Sequence, residues 1–446
     1  MKKMIVCFPL KFLYERNLKM ANKGDKITSF DEVVGYEDIK SELKIISDML
    51  NNPQKYHDFG AGINEGVILY GRPGTGKTTM ANCLIKSTGR KAFICRKKES
   101  DGRFVKNIIS VFQSAKMNAP SIILLDDLDK FSDCDEEDCD AEEFVTVQSC
   151  IDELKGADVF VIATANRIRK IPDSLLRAGR LGQKIAVRMP TDSEIEEIVK
   201  HYLKKIKKCE ELDEKSIARM MSGESCATLE NVINRAAMKA AYNRQAEISM
   251  QNILDACLDL VFDAPESSKE LPESIREKIA YHEAGHAIAA EILDPGSVSI
   301  ISIRETDGGD YGFVRYCRSD EKMNHSAEYI EDMIKTSLAG RAATELVFGE
   351  SDIGANNDLH NAFNKTEYLI DDICMYGFHN WIQDKDSNAS AENRNRAMAM
   401  LMEKNYLEVK KILARHRELL DKLASELLQK TTLVYSDVQR ICKQMV

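Results

Sequence analysis

The sequence predicts an α/β domain, a parallel sheet with helices on both faces, followed by a mainly α-helical domain. Three observations predict it. From Ser29 onward short apolar runs alternate with amphipathic segments. A glycine-rich loop, Gly71 to Thr78, sits between an apolar run (Gly66–Tyr70) and a stretch with Ala81, Leu84 and Ile85 at helical spacing. In the second half, His282, Glu283 and His286 fall within a helical pattern.

Length and composition set the frame for these elements. The 446 residues are 43% hydrophobic, 30% charged and 7% aromatic, enough for two to four domains with real cores. With 62 basic and 72 acidic residues the formal charge is −10, which argues against nucleic acid as the main partner. The twelve cysteines contain no CxxC pair and read as free thiols of a reducing, cytoplasmic compartment. The apolar run from Met4 to Leu10 is far short of the about 20 residues that span a bilayer, and no other stretch is long enough to span one. Residues 1–28 read as a tail.

The glycine-rich loop has the form G-x-x-x-x-G-K-[ST], with Gly71, Pro73, Gly74, Thr75, Gly76, Lys77, Thr78 and Thr79 as nucleotide-binding candidates. Glycines let successive backbone N–H groups turn toward phosphate oxygens at the positive end of the next helix. Lys77 is expected to reach the β- and γ-phosphates of ATP, and the Thr78 hydroxyl the Mg²⁺. A second buried strand, Ser121 to Leu125, ends in Asp126 and Asp127. An acidic pair at that end of a parallel strand suits a metal-side carboxylate (Asp126) and a residue that polarises the attacking water (Asp127). A third strand, Asp158 to Ala163, leads to Asn166, and a Leu-Leu-Arg-Ala-Gly-Arg segment ends at Arg180.

Together these segments resemble the AAA+ ATPase module. The resemblance implies that Asn166 is a sensor, that Arg180 is an arginine finger acting on a neighbour in a homohexamer, and that backbone near Gly35 contacts adenine. It places an ATPase core at 29–190 and a helical lid at 191–263.

After a polar linker (264–272), residues 273–446 carry the second site. His282 and His286, four apart on one helical face, can both reach one Zn²⁺, and Glu283 can take a proton from a water bound there. Ile275 and Ile279 continue the stripe, so the site is expected against packed structure. No further histidine follows at the spacing of extended zinc motifs. The segments Tyr281–Ile288, Leu338–Glu345 and Gly354–Asp358 are similar to the FtsH-type zinc peptidase, and this resemblance implies Asp358 as the third ligand. That carboxylate also suits the N-terminus of an amphipathic helix with Leu359, Ala362, Phe363, Leu369, Ile370 and Ile373. Two β-type runs, 299–303 and 311–316, read as a hairpin; the resemblance implies an edge that holds a substrate strand, and an ordinary structural hairpin is the other reading. The stretch 397–428 is amphipathic and helical.

Four departures from the family stand out. Transmembrane helices precede the ATPase module in the family, where about 28 residues stand here. Asp127 replaces the family's glutamate, retracting the carboxylate by roughly an ångström, and misplacement of that size costs about 10²-fold in rate. Gln183 replaces a further arginine. The pore-loop slot holds Ser100 to Gly102, flanked by Arg96, Lys97 and Lys98, with Phe104 as the substitute if the loop shifts. The expected function is an ATP-dependent zinc endopeptidase acting on polypeptides. The alternative is a nucleotide-gated oligomeric scaffold or regulator with little ATP turnover.

Overall fold

The computed structural model describes residues 29–61, 65–97, 103–132, 141–207, 212–266, 271–317, 326–350, 356–375, 377 and 388–443. The N-terminal tail, the pore-loop slot Ser100 to Gly102, and Cys134 and Cys139 in their acidic run lie outside these residues. The chain divides into two compact units between Val187 and Arg188.

The first unit holds five strands: β1 (Gly66–Tyr70), β2 (Lys91–Cys95), β3 (Ser121–Leu125), β4 (Val159–Ala165) and β5 (Gln183–Ala186). All pair in parallel, in the order β2-β3-β4-β1-β5. Burial alternates by face, as the two-residue period of a strand requires. Ile68, Ile123, Leu125, Val161 and Ala163 join a core with Ile108, Phe112, Phe144 and Val147. The intervening Val67, Leu69, Ile122, Leu124 and Ile162 are also buried, so both faces are covered. The helices are α1 (Glu37–Asn51), α2 (Pro53–Asp58), α3 (Lys77–Thr88), α4 (Phe104–Met117) and α5 (Glu142–Asp152).

Strand β2 holds a short apolar run, Ala92 to Cys95, and β5 holds none. They are the edges, half exposed, so their sequences need not be apolar on both sides. Phe104 does not substitute as a pore residue. It opens α4, is buried, and meets Phe131 edge-on with centroids 4.8 Å apart.

The second unit begins with four helices, α6 (Asp192–Leu203), α7 (Glu214–Met220), α8 (Cys226–Tyr242) and α9 (Met250–Leu260). Each starts at a polar residue whose side chain accepts a backbone N–H: Thr191, Asp213, Ser225 and Ser249. Then follow α10 (Glu273–Leu293), β6 (Val298–Glu305), β7 (Tyr311–Tyr316), α11 (Ala327–Phe348) and α12 (Asn356–Glu367), which runs into a π-helical segment at Tyr368–Asp372. The chain closes with α13 (Asn388–Arg415), α14 (Arg417–Lys430), β8 (Thr432–Val434) and α15 (Tyr435–Lys443). The expected hairpin gains β8 as a third antiparallel strand, in the order β7-β6-β8, leaving β7 at an edge. The amphipathic stretch at 397–428 breaks at His416 into two helices.

Helices α10 and α11 approach closely because their contact is made of small residues. A Cβ on Gly285 would fall 2.5 Å from Ala343 Cβ and 2.7 Å from Ala339 O. This contact fixes the register of the two helices that frame the second site.

Candidate functional site

The sequence-predicted nucleotide residues gather at the C-terminal ends of β1, β3 and β4, where parallel sheets bind ligands. Gly71 must be glycine, because a Cβ there would stand 2.1 Å from Val187 O. Gly76 adopts φ 91° as the last residue before α3. Lys77 is buried and donates to the carbonyls of Gly71 (2.9 Å) and Arg72 (2.7 Å), and burial lowers its pKa. Thr75 donates to Arg72 O, while Pro73, Gly74, Thr78 and Thr79 complete the loop and the start of α3. Asp126 Oδ1 accepts from both Thr78 Oγ1 (3.0 Å) and Thr164 Oγ1 (2.8 Å). Asp127 follows in left-handed backbone, φ 57°, with its amide donating to Thr164 Oγ1 (2.9 Å).

Three supporting residues were missed from sequence. Asp129 accepts from the amides of Asn166 (3.0 Å) and Arg167 (3.2 Å), fixing the turn after β4. Thr164 ties the acidic pair to β4. Arg96 does not flank the pore-loop slot as a free basic group: it pairs with Asp127 (3.1 Å) and Asp126 (3.7 Å). Lys97 pairs with Glu143 at 3.9 Å. Arg180 pairs with Asp152 (2.8 and 3.2 Å) and also donates to Ser174 O. Gly35 has φ 72° and precedes the buried Tyr36 that caps α1.

In the second unit α10 carries His282, Glu283 and His286, all buried, and α12 brings Asp358 to them from its first turn. Asp358 Oδ2 lies 3.0 Å from His282 Nε2 and 3.1 Å from His286 Nε2, and the two Nε2 atoms are 3.0 Å apart. His286 Nδ1 donates to Thr336 O at 2.7 Å, which turns the Nε2 lone pair toward the cluster. Tetrahedral zinc bonds of about 2.0–2.1 Å put ligand atoms about 3.3 Å apart, close to this triangle. Gly340 on α11 supplies the space: a Cβ there would fall 2.4 Å from His282 Nε2 and 2.5 Å from His286 Nε2. Three convergent donors around a volume that one methyl group would fill fit a zinc ion.

Burial pushes the Glu283 carboxyl up to about 8. Burial alone would lower His286, but its bond to Asp358 and that negative charge raise it to about 9. Burial would raise Asp358, but the two imidazoles hold it well below the carboxylate range. His286 is raised on folding, so its contribution to metal-free stability is complete below pH 6.5 and is lost as pH rises through about 9. A zinc ion held by His286 would have to displace that proton. Zinc affinity, measured by chelator competition, is therefore expected to climb between pH 6.5 and 9, by up to about tenfold per unit for each proton displaced. A flat profile would sink this assignment of the proton.

A cavity of about 710 Å³ opens on the cluster, lined among others by Ile275, Ile279, Phe313, Val314 and Met333. Ile279 is buried and Ile275 is 44% exposed, so the expected stripe forms part of a cleft wall. Gly312 on β7 has φ 82°, and a Cβ there would meet Glu283 Oε1 at 2.6 Å, so the edge strand passes directly over this carboxylate. Neither Gly312 nor Gly340 announces itself from one sequence, although Gly340 lies inside the Leu338–Glu345 segment.

Comparisons with known proteins match both halves. Residues 67–189 match the family described as "ATPase family associated with various cellular activities (AAA)", and residues 269–441 match "Peptidase family M41". The chain is similar to the "ATP-dependent zinc metalloprotease FtsH" of Ureaplasma parvum, at 30% identity over 95% of this chain and 62% of the relative. It is likewise 30% identical to the protein of that name from Thermus thermophilus, over 95% of this chain and 72% of the relative. A Thermoanaerobacter relative named FtsH 2 is 28% identical, with 83% of its length covered. The chain thus spans somewhat under two thirds of the first of these relatives and more of the others. Among the described residues no helix is long and apolar enough to cross a membrane. These relatives are named as proteases, which does not favour the regulator reading. On the two matched families and the relatives that span both, this chain belongs to the FtsH family of ATP-dependent zinc metalloproteases.

Proposed function

We propose that this chain degrades polypeptides by zinc-dependent hydrolysis, with substrate delivery driven by ATP. The carrying observation is the triangle of His282, His286 and Asp358 around the space left by Gly340, with Glu283 beside it in an apolar-walled cavity. Zinc held by these three residues supplies a Lewis acid that brings a water molecule's pKa toward neutrality. A zinc charge beside Glu283 would favour the ionised carboxylate that burial opposes, and in that form Glu283 takes the proton of the attacking water and returns it to the leaving nitrogen. The substrate backbone runs along the edge of β7, which Gly312 places against Glu283.

At the other site the loop from Gly71 to Thr79 holds the phosphates of ATP, Thr78 and Asp126 the Mg²⁺, Asp127 the water, and Asn166 and Gly35 the remaining contacts. The chain works as a homohexamer in which Arg180 leaves Asp152 for a neighbour's γ-phosphate. Residues 29–190 form the ATPase core, 191–263 the lid and 273–446 the peptidase domain. The free and largely buried thiols among the described cysteines support a cytoplasmic setting.

The test is casein degradation with ATP, with a non-hydrolysable analogue and with a zinc chelator. Degradation should require both ATP hydrolysis and zinc. Lys77→Ala should abolish ATP turnover and casein loss while leaving cleavage of a short unstructured peptide. If casein is cleaved equally well without nucleotide, ATP-driven delivery is wrong.

A further inference from the structure

Arg96 directly follows β2, and the fold carries it to the acidic pair at the end of β3. The parallel register pairs Cys95 with Leu125, and the Asp126 amide donates to Cys95 O at 2.9 Å. The residues just beyond this pair, Arg96 and Asp126, therefore leave the sheet side by side. The guanidinium spans both carboxylates: one nitrogen lies 3.1 Å from Asp127 Oδ2 and the other 3.7 Å from Asp126 Oδ2. Lys130 Nζ reaches the same Asp127 oxygen, Oδ2, at 3.0 Å.

Two cations on one oxygen fix the plane of a carboxylate and leave the other oxygen, Oδ1, to address a water. A planar fork suits this task, because it holds orientation as well as charge. Backbone holds Asp127 equally firmly, through its left-handed conformation and the amide bond to Thr164. Stability does not explain the arrangement: the Arg96 side chain is 56% exposed, and ion pairs so exposed add little.

We propose that Arg96 is a positioning residue for ATP hydrolysis, orienting the short Asp127 carboxylate so that Oδ1 meets the attacking water. This rests on the reading of Asp127 as the residue that polarises that water. A loss of aim by a fraction of an ångström lowers turnover without weakening nucleotide binding.

The experiment measures ATP hydrolysis by the full chain and its Arg96→Ala, Arg96→Lys, Asp127→Asn and Arg96→Ala/Asp127→Asn variants, using single-turnover conditions for the slow ones. Arg96→Ala is expected to lower kcat about tenfold with KM for ATP changed less than twofold. Arg96→Lys should recover part of the loss. In the Asp127→Asn background, Arg96→Ala should cost nothing further, because its effect passes through Asp127. Unchanged or raised kcat in Arg96→Ala, a loss confined to KM, or an equal loss in the Asp127→Asn background would each overturn the proposal. Full turnover in Asp127→Asn would instead show that the reading of Asp127 itself is wrong.

Discussion

Gly340→Ala is expected to empty the zinc site and abolish peptide hydrolysis while leaving ATP turnover at its wild-type rate. The added methyl carbon would stand 2.4 and 2.5 Å from the two histidine Nε2 atoms and 2.6 Å from His282 Cε1, inside the volume the ion needs. Relief would require α10 and α11 to separate. Separation would open the close packing at Gly285, where even a Cβ would stand only 2.7 Å from Ala339 O, and forfeit its contacts. In an ordinary helix the same substitution is favourable by about 1 kcal/mol. Circular dichroism should therefore show full helix content, and the loss should be confined to metal. Changes behind a metal ligand typically cost 10–100-fold in affinity, and a carbon placed among the ligand atoms should exceed that range, at more than about 10²-fold. Zinc content by mass spectrometry and cleavage of a fluorogenic peptide would check it. Stoichiometric zinc in purified Gly340→Ala would mean that the ion sits elsewhere.

Such a residue shows where sequence reading stops. The glycine-rich loop, the acidic pair and the two histidines were legible because their chemistry is written in consecutive or one-turn spacing. The three central strands were legible because burial on both faces leaves a continuous apolar run, as in Ser121 to Leu125. Strands β2 and β5 were not: the four apolar residues of β2, Ala92 to Cys95, are too short a run to tell strand from helix, and the edge strand β5 has no apolar run. The same omission hid Arg96: without β2, nothing in the sequence brings it to Asp127. Gly312 and Gly340 matter through what other elements place against them, which a single chain's spacing does not encode. Asp358 lies between these cases. Its helix could be read, but its approach to histidines more than 70 positions earlier came only from resemblance.

Glu283→Gln is expected to lower kcat for peptide cleavage by about 10²–10⁴-fold, the usual worth of a positioned general base, with KM changed little. Glutamine keeps the shape that packs against Gly312, so the cavity wall and the path along β7 remain. It also removes a carboxylate whose ionisation burial opposes, pushing it up to about 8. A group raised on folding gives a stabilising contribution that is complete below its unfolded value near 4.5 and lost as pH rises through about 8. The variant's metal-free form should therefore match wild type at low pH and melt higher than wild type above pH 8. Zinc content should be unchanged, because Glu283 does not belong to the triangle of His282, His286 and Asp358. Together these readouts separate loss of a proton acceptor from loss of the site: lower kcat, retained zinc and raised thermal stability at alkaline pH. Cleavage at the wild-type rate by zinc-loaded Glu283→Gln would remove Glu283 from the chemistry and send the search for the base to another residue lining the cavity.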